Sequence, residues 1–277
     1  MSYTVREFAI SAESDRNQEL PHVAARADGG FDVAWQDGSD FAEDITPRIQ
    51  GASFSPNSDE TQKPSTFGNE GWEQTEPDVT ALANGNTVAT WEARLETPGR
   101  YTPDALTAIH GEVRDPDGKV VNTFQIPGSG QDDQLEPAIT ALSSGGFAMA
   151  PEGTAGDAEG VIFDANGEIT ARFTAKDEVG IVQSDVDLTE LSNGRIVVTW
   201  RDYRGDATNV VEGAIFSSDG VAQERFSVSA PEYGEQDIPT IDSLPNGGFV
   251  ISWQEGDGFD DDRGEDGIAD RIRGNIF

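Results

Sequence analysis

Five segments of this chain align with one another without a gap. They are PHVAARADGGFDVAW from Pro21, PDVTALANGNTVATW from Pro77, PAITALSSGGFAMAP from Pro137, VDLTELSNGRIVVTW from Val186 and PTIDSLPNGGFVISW from Pro239. Successive starts lie 56, 60, 49 and 53 residues apart. A unit of that size cannot bury an apolar face alone and must stack on its neighbours. The chain therefore reads as a single domain, 1–277, assembled from five copies of one unit.

Each segment predicts two strands around a tight turn. The turn dipeptides begin at Asp28, Asn84, Ser144, Asn193 and Asn246, each followed by glycine. Asp-Gly and Asn-Gly tolerate the positive φ of hairpin turns. The second strand alternates. Phe31, Val33 and Trp35 share a face, as do Thr87, Ala89 and Trp91, then Ile196, Val198 and Trp200, then Phe249, Ile251 and Trp253. The opposite face is also apolar at Val88, Val197 and Val250, as expected of a strand covered on both sides. A third strand carries Gly51, Gly111, Gly160, Gly213 or Gly274 at one fixed position. Glycine inside a strand weakens it unless something approaches closely, and a cross-strand aromatic is the expected neighbour. A fourth strand follows the turns at Asp115, Asp164 and Ser217.

The fifth copy stops at Phe277, after its third strand, and TVREFAIS from Thr4 supplies the missing one. The expected fold is all-β: a five-bladed β-propeller of four-stranded antiparallel blades, with an N-terminal strand (4–11) closing the last blade and removing an open edge. Two copies depart from the pattern. Residues 55–73 hold no clean fourth strand for the first, and Pro151 stands where the third should have tryptophan.

Composition narrows the chemistry. Cysteine is absent and the histidines are His22 and His110 alone, which excludes thiol catalysis and makes a multi-imidazole zinc site hard to build. Fifty-two acids against 18 bases give a net charge of −34. Nucleic acid and anionic membranes are therefore not expected partners. The start, MSYTVREFAISAE, has neither a basic nor an apolar signal-peptide region, and no apolar run is long enough to span a bilayer.

Three features are expected to share one rim. The first is Gln-x-x-Pro and its variants, giving Gln18, Gln74, Gln134, Gln183 and Gln236, accompanied by Glu19, Glu76, Glu136, Asp185 and Asp237. These could ring a channel mouth as ligand-binding amides, or satisfy backbone groups between blades. The second is tryptophan. Trp35, Trp91, Trp200 and Trp253 alternate with core residues and read as packing, whereas Trp72 lies out of phase and is the candidate exposed platform for a ligand. The third is acidic loops. Asp37, Asp40 and Asp44 in the first copy, and Asp257, Asp260, Asp262, Asp266 and Asp270 in the last, offer the oxygens that calcium requires.

The strings TALANGNTVATW and DSLPNGGFVISWQ, each followed by an acidic loop, resemble repeats of large calcium-associated, RTX-like proteins exported by proteobacterial type I systems. The resemblance implies an extracellular bacterial setting and calcium as the cofactor. Together these readings point to a secreted, monomeric, non-catalytic binding or adhesion module for a glycan or a cationic protein surface. The alternative is a five-bladed glycoside hydrolase using the inner-strand carboxylates Asp78, Asp187 and Asp242. A second alternative is a structural spacer within a larger exported protein.

Overall fold

The computed structural model describes residues 9–11, 16–38, 46–55, 64–68, 72–95, 107–126, 134–153, 159–174, 182–203, 209–229, 235–256 and 271–277. Regular structure among them is entirely β. The first sheet comprises β1 (Gln18–Ala25), β2 (Phe31–Asp37), β3 (Arg48–Phe54) and β4 (Ser65–Thr66). The second comprises β5 (Trp72–Ala81), β6 (Thr87–Leu95), β7 (Ala108–Arg114) and β8 (Val120–Ile126). The third comprises β9 (Gln134–Ala141), β10 (Phe147–Gly153), β11 (Glu159–Phe163) and β12 (Ile169–Thr174). It meets the fourth, β13 (Val182–Glu190), β14 (Ile196–Tyr203), β15 (Val210–Phe216) and β16 (Ala222–Ser227), through one residue pair, Gly153 with Gln183. The fifth holds three strands, β17 (Glu235–Ser243), β18 (Phe249–Gly256) and β19 (Arg271–Ile276). All pairings are antiparallel, and every sheet follows chain order from its inner strand outward.

The hairpins form where the dipeptides place them, with one difference. Positive φ falls on the glycine (89° at Gly85, 90° at Gly247) and not on the residue before it. The asparagine side chain instead locks the loop: Asn84 Oδ1 accepts the Asn86 N–H at 2.9 Å. These are three-residue loops with glycine in the left-handed position rather than two-residue turns.

Cores lie between successive sheets. Val79, Ala89 and Trp91 of the second sheet pack with Ala34 and Ile49 of the first. Val88 and Val113 of the second meet Phe147 and Met149 of the third. Val198 and Trp200 of the fourth meet Ala148 and Phe173 of the third, and Ile251 and Trp253 of the fifth meet Val197 and Val211 of the fourth. The four repeat tryptophans are all buried, so they serve packing, as their alternation requires. The irregular copies are irregular as expected. β4 is only two residues long, and β10 pairs with β11 only over Phe147–Met149, short of Pro151, which has no N–H to donate.

The strand glycines have a steric cause. A methyl group at Gly111 would stand 2.1 Å from the Phe124 ring, and one at Gly160 would stand 1.8 Å from Phe173. Gly160→Ala is accordingly expected to lower stability by about 2–3 kcal/mol, the cost of overpacking a close contact, read as an earlier urea midpoint at unchanged slope.

Candidate functional site

Every inner strand breaks register once against its partner, between Glu19 and His22, Thr75 and Asp78, Ser184 and Asp187, and Asp237 and Thr240, and opposite Ala150 and Glu152 for β9. At each break one residue takes positive φ: Leu20 (51°), Glu76 (47°), Glu136 (38°), Asp185 (50°) and Ile238 (50°). Glycine occupies none of these positions, so each costs about 1–3 kcal/mol that the surrounding fold must offset. A bulge of this kind re-aims a side chain. Here it turns Glu76, Glu136 and Asp185 toward one cleft of ≈ 460 Å³, lined also by His22, Asp78 and Asp187.

The cleft residues fall into two groups. Asp78 and Asp187 occupy the same repeat position and do the same work. Asp78 accepts the N–H groups of Val79 (2.7 Å) and of Ile139 in the next sheet (3.0 Å). Asp187 accepts those of Leu188 (2.8 Å) and of Ile241 in the next sheet (2.9 Å). Both carboxylates thus staple neighbouring inner strands, and burial pushes Asp187 up to about 6. The His22 Nδ1–H donates to Asp78 Oδ1 at 3.1 Å, and that bond raises the imidazole pKa. Asp242 is solvent-exposed and does not line the cleft.

The second group is Glu136, Asp185 and Glu152, which bring one carboxyl oxygen each to within 4.8 Å of one another. Glu152 follows Pro151 on β10 and is buried, and its Oε1 accepts the N–H of Asp185, the strained bulge residue of the next sheet. Glu92, at the equivalent position on β6, does the same for the N–H of Glu136 at 2.8 Å. Burial, reinforced by the Glu136 charge, drives Glu152 up to about 8, and burial drives Glu92 up to about 7. Glu136 is raised by burial and by the charge of Asp185. Asp185 is raised by burial, but the Arg201 guanidinium at 2.9 Å works against that rise. Arg201 is itself anchored by Asp237 at 2.7 Å. Three carboxyl groups this close can share protons or a cation. Burial favours protons on Glu152, and the Arg201 ion pair favours the anion on Asp185.

The expected sites fare unequally. Gln74, Gln183 and Gln236 are buried, not presented to solvent, and Gln74 Oε1 accepts the Ile49 N–H of the preceding sheet at 3.0 Å. For that amide the geometry gives a structural role in place of ligand binding. Gln18 is exposed, and the side chains of Gln134 and Trp72 lie outside the described residues. So do Asp40, Asp44, Asp257, Asp260, Asp262, Asp266 and Asp270. The remaining calcium candidate, Asp37, is buried, and its Oδ2 is paired with Arg48 at 3.0 Å and Arg16 at 3.8 Å. Glu92 and Glu152 are absent from the sequence-based candidates. Their signal is a carboxylate directly after the core tryptophan position, inside an otherwise apolar strand, where a charge is rarely buried without purpose.

No protein-family model matches the chain, and no curated protein does. Solved structures do. The NanB sialidase of Streptococcus pneumoniae superimposes with a TM-score of 0.61 at 9% identity, over 87% of this chain and 57% of that one. The α-L-arabinanase of Penicillium chrysogenum gives 0.58 at 11% identity, over 91% and 82%. The α-L-arabinofuranosidase of Fusarium graminearum gives 0.58 at 9%, over 91% and 79%. At such identities the likeness is one of fold: an all-β, propeller-like arrangement of antiparallel sheets. These neighbours are glycoside hydrolases, and the finding goes against the expectation of a non-catalytic adhesion module.

Proposed function

We propose that the chain is a retaining glycoside hydrolase whose five sheets form the blades of one closed ring, with the acidic cleft at its axial mouth. The observation that carries this reading is the Glu136–Asp185–Glu152 cluster, with oxygens within 4.8 Å. Retaining enzymes hold two carboxyl groups about 5–5.5 Å apart, whereas inverting ones leave roughly 6.5–9.5 Å for a water. Asp185, the carboxylate paired with Arg201, attacks the anomeric carbon as the glycosidic bond breaks. Glu136, which opens onto the cleft, gives its proton to the leaving oxygen. Water then displaces Asp185 from the sugar, and Glu136 takes the proton back. Burial and the Asp185 charge favour the proton on Glu136, and Glu152, buried behind both, holds the Asp185 backbone in place by accepting its N–H.

The cleft also suits one class of sugar. Glu76, Asp78, Glu136, Asp185 and Asp187 face it together with a single imidazole, and such a wall repels an anionic sugar. The substrate is a neutral glycan of the arabinose type, not a sialoside. Aryl α-L-arabinofuranoside, debranched arabinan and an aryl sialoside, assayed side by side, are expected to give turnover of the first two and none of the third. A fully folded protein inert toward every neutral glycoside tried would sink the enzymatic reading.

A further inference from the structure

The five bulge residues are not alike. Glu76, Glu136 and Asp185 are acids on three consecutive sheets, whereas Leu20 and Ile238 are apolar. Ile238 is the least expected of them. Its side chain is β-branched, its φ is 50°, and it is 47% exposed. A left-handed backbone is an outlier for a β-branched residue, and glycine would adopt it without strain. An apolar side chain left in water gains little from folding, and Ile238 belongs to none of the buried cores between the sheets. Backbone strain and exposed apolar surface thus coincide at a residue that the packing does not require.

Its surroundings give it a use. Ile238 lines the acidic cleft, and Leu20 does not. Pro77, Pro137, Val186 and Pro239 line it too but are buried, and Ala138 is half-buried. Ile238 is therefore the one exposed apolar side chain in the cleft among the described residues, and no phenyl, phenol or indole ring lines it among them. Asp185 sits against it. Glu92 and Glu152, each directly after the core tryptophan position, accept the bulge N–H of the following sheet. Arg201 holds that position in the fourth sheet, and a guanidinium cannot accept. The Ile238 N–H donates to the Asp185 carboxylate instead. We propose that Ile238 is the specificity-determining residue of the cleft, its side chain forming the apolar wall against which the C–H face of the attacked sugar packs. This inference rests on the hydrolase reading of the same cleft. A sugar ring is amphipathic. Its hydroxyls need acceptors, which the cleft carboxylates supply, and its C–H groups gain from leaving water, for which Ile238 offers the surface. The wall has no donor for an anionic substituent, in keeping with a neutral glycan.

Ile238→Gly separates the wall from the scaffold. It keeps the N–H that Asp185 accepts, relieves the strained backbone and deletes the apolar surface. A contact made equally in the ground and transition states changes KM and leaves kcat alone, and a hydrophobic contact of this size is worth about 10–200-fold. On an aryl α-L-arabinofuranoside the variant is expected to raise KM by about tenfold or more, with kcat within about twofold of the wild type. Its Tm is expected to rise by about 2 °C as the strain is released. Ile238→Val keeps a β-branched apolar surface and should hold KM within about threefold. Leu20→Gly relieves the same strain outside the cleft, so it should raise the Tm and leave KM unchanged. An active wild type whose KM is not moved by Ile238→Gly would overturn the proposal, and a lower Tm in that variant would then assign the side chain to packing. A KM raised equally by Leu20→Gly would overturn it as well, by tracing the effect to the bulge backbone. A folded wild type inert toward every neutral glycoside removes the hydrolase reading and this inference with it, whereas failure of Ile238→Gly on an active wild type removes this inference alone.

Discussion

Glu136→Gln is expected to lower kcat on an unactivated arabinoside by about 10³-fold, the middle of the range for losing a general acid, with little change in the melting temperature. Asp185→Asn is expected to be at least as severe, since no covalent intermediate can then form. The two should differ in their pH behaviour. Activity of the wild type requires Asp185 ionised and Glu136 protonated, so the profile of kcat/KM is a bell. Its acid limb reports Asp185, raised by burial with Arg201 at 2.9 Å opposing that rise, and its alkaline limb reports Glu136, whose pKa is raised by burial and by Asp185. Glu136→Gln removes the alkaline limb. It also spares substrates with a good leaving group, such as a dinitrophenyl glycoside, which need no protonation. Asp187→Asn serves as the contrast. Its carboxylate bridges Leu188 N and Ile241 N, so the substitution should reduce stability more than chemistry. A Glu136→Gln enzyme retaining wild-type turnover on the unactivated arabinoside would remove the proposed acid.

Much of this fold is readable in the sequence because the repeat constrains it five times over. Hairpin dipeptides, strand alternation and the strand glycines each have a local cause, and they land where expected: the turn glycines at positive φ, the tryptophans in the inter-sheet cores, and Gly51, Gly111, Gly160 and Gly213 beneath phenylalanine rings. The candidate site is less legible, because its determinants are not local. Asp78 and Asp187 look like free channel carboxylates until Ile139 N and Ile241 N arrive from the adjoining sheets. Gln74 looks like a rim amide until the Ile49 N–H of another sheet reaches its oxygen. Glu136 and Asp185 sit in the string beside that glutamine motif, yet only the bulge, with φ of 38° and 50°, turns them into the cleft. A proline one residue later restricts Glu136 away from the right-handed helical region but does not dictate a left-handed one. Glu152, 33 residues from Asp185 along the chain, could be joined to it only by folding.

Glu152 carries the second large effect, on stability. Its folded pKa of about 8 stands well above the ordinary value of 4.5, because burial and the nearby Glu136 charge penalise the anion. A carboxyl raised in this way contributes stability that is fully present below about pH 4.5 and is lost as pH climbs through about 8. Glu152→Gln keeps an oxygen to accept the Asp185 N–H and abolishes the ionisation. The variant should therefore match the wild type near pH 4 and exceed it at pH 9. A tenfold difference in proton affinity between the folded and unfolded chain is worth about 1.4 kcal/mol. Relaxation of a partly solvated cluster returns some of that, so a gain of about 1–3 kcal/mol is expected at the alkaline end. In a chain of this size that is a rise of roughly 3–8 °C in Tm. The overall charge of −34 also weakens the protein as pH rises, but it acts almost equally on both proteins and cancels in their difference. Glu92→Gln should show the same crossover at lower pH and smaller amplitude, following its value of about 7. Parallel melting curves for Glu152→Gln and the wild type from pH 4 to pH 9 would mean that Glu152 ionises as freely in the folded protein as in water. The proton-sharing cluster at the head of the cleft would then not exist.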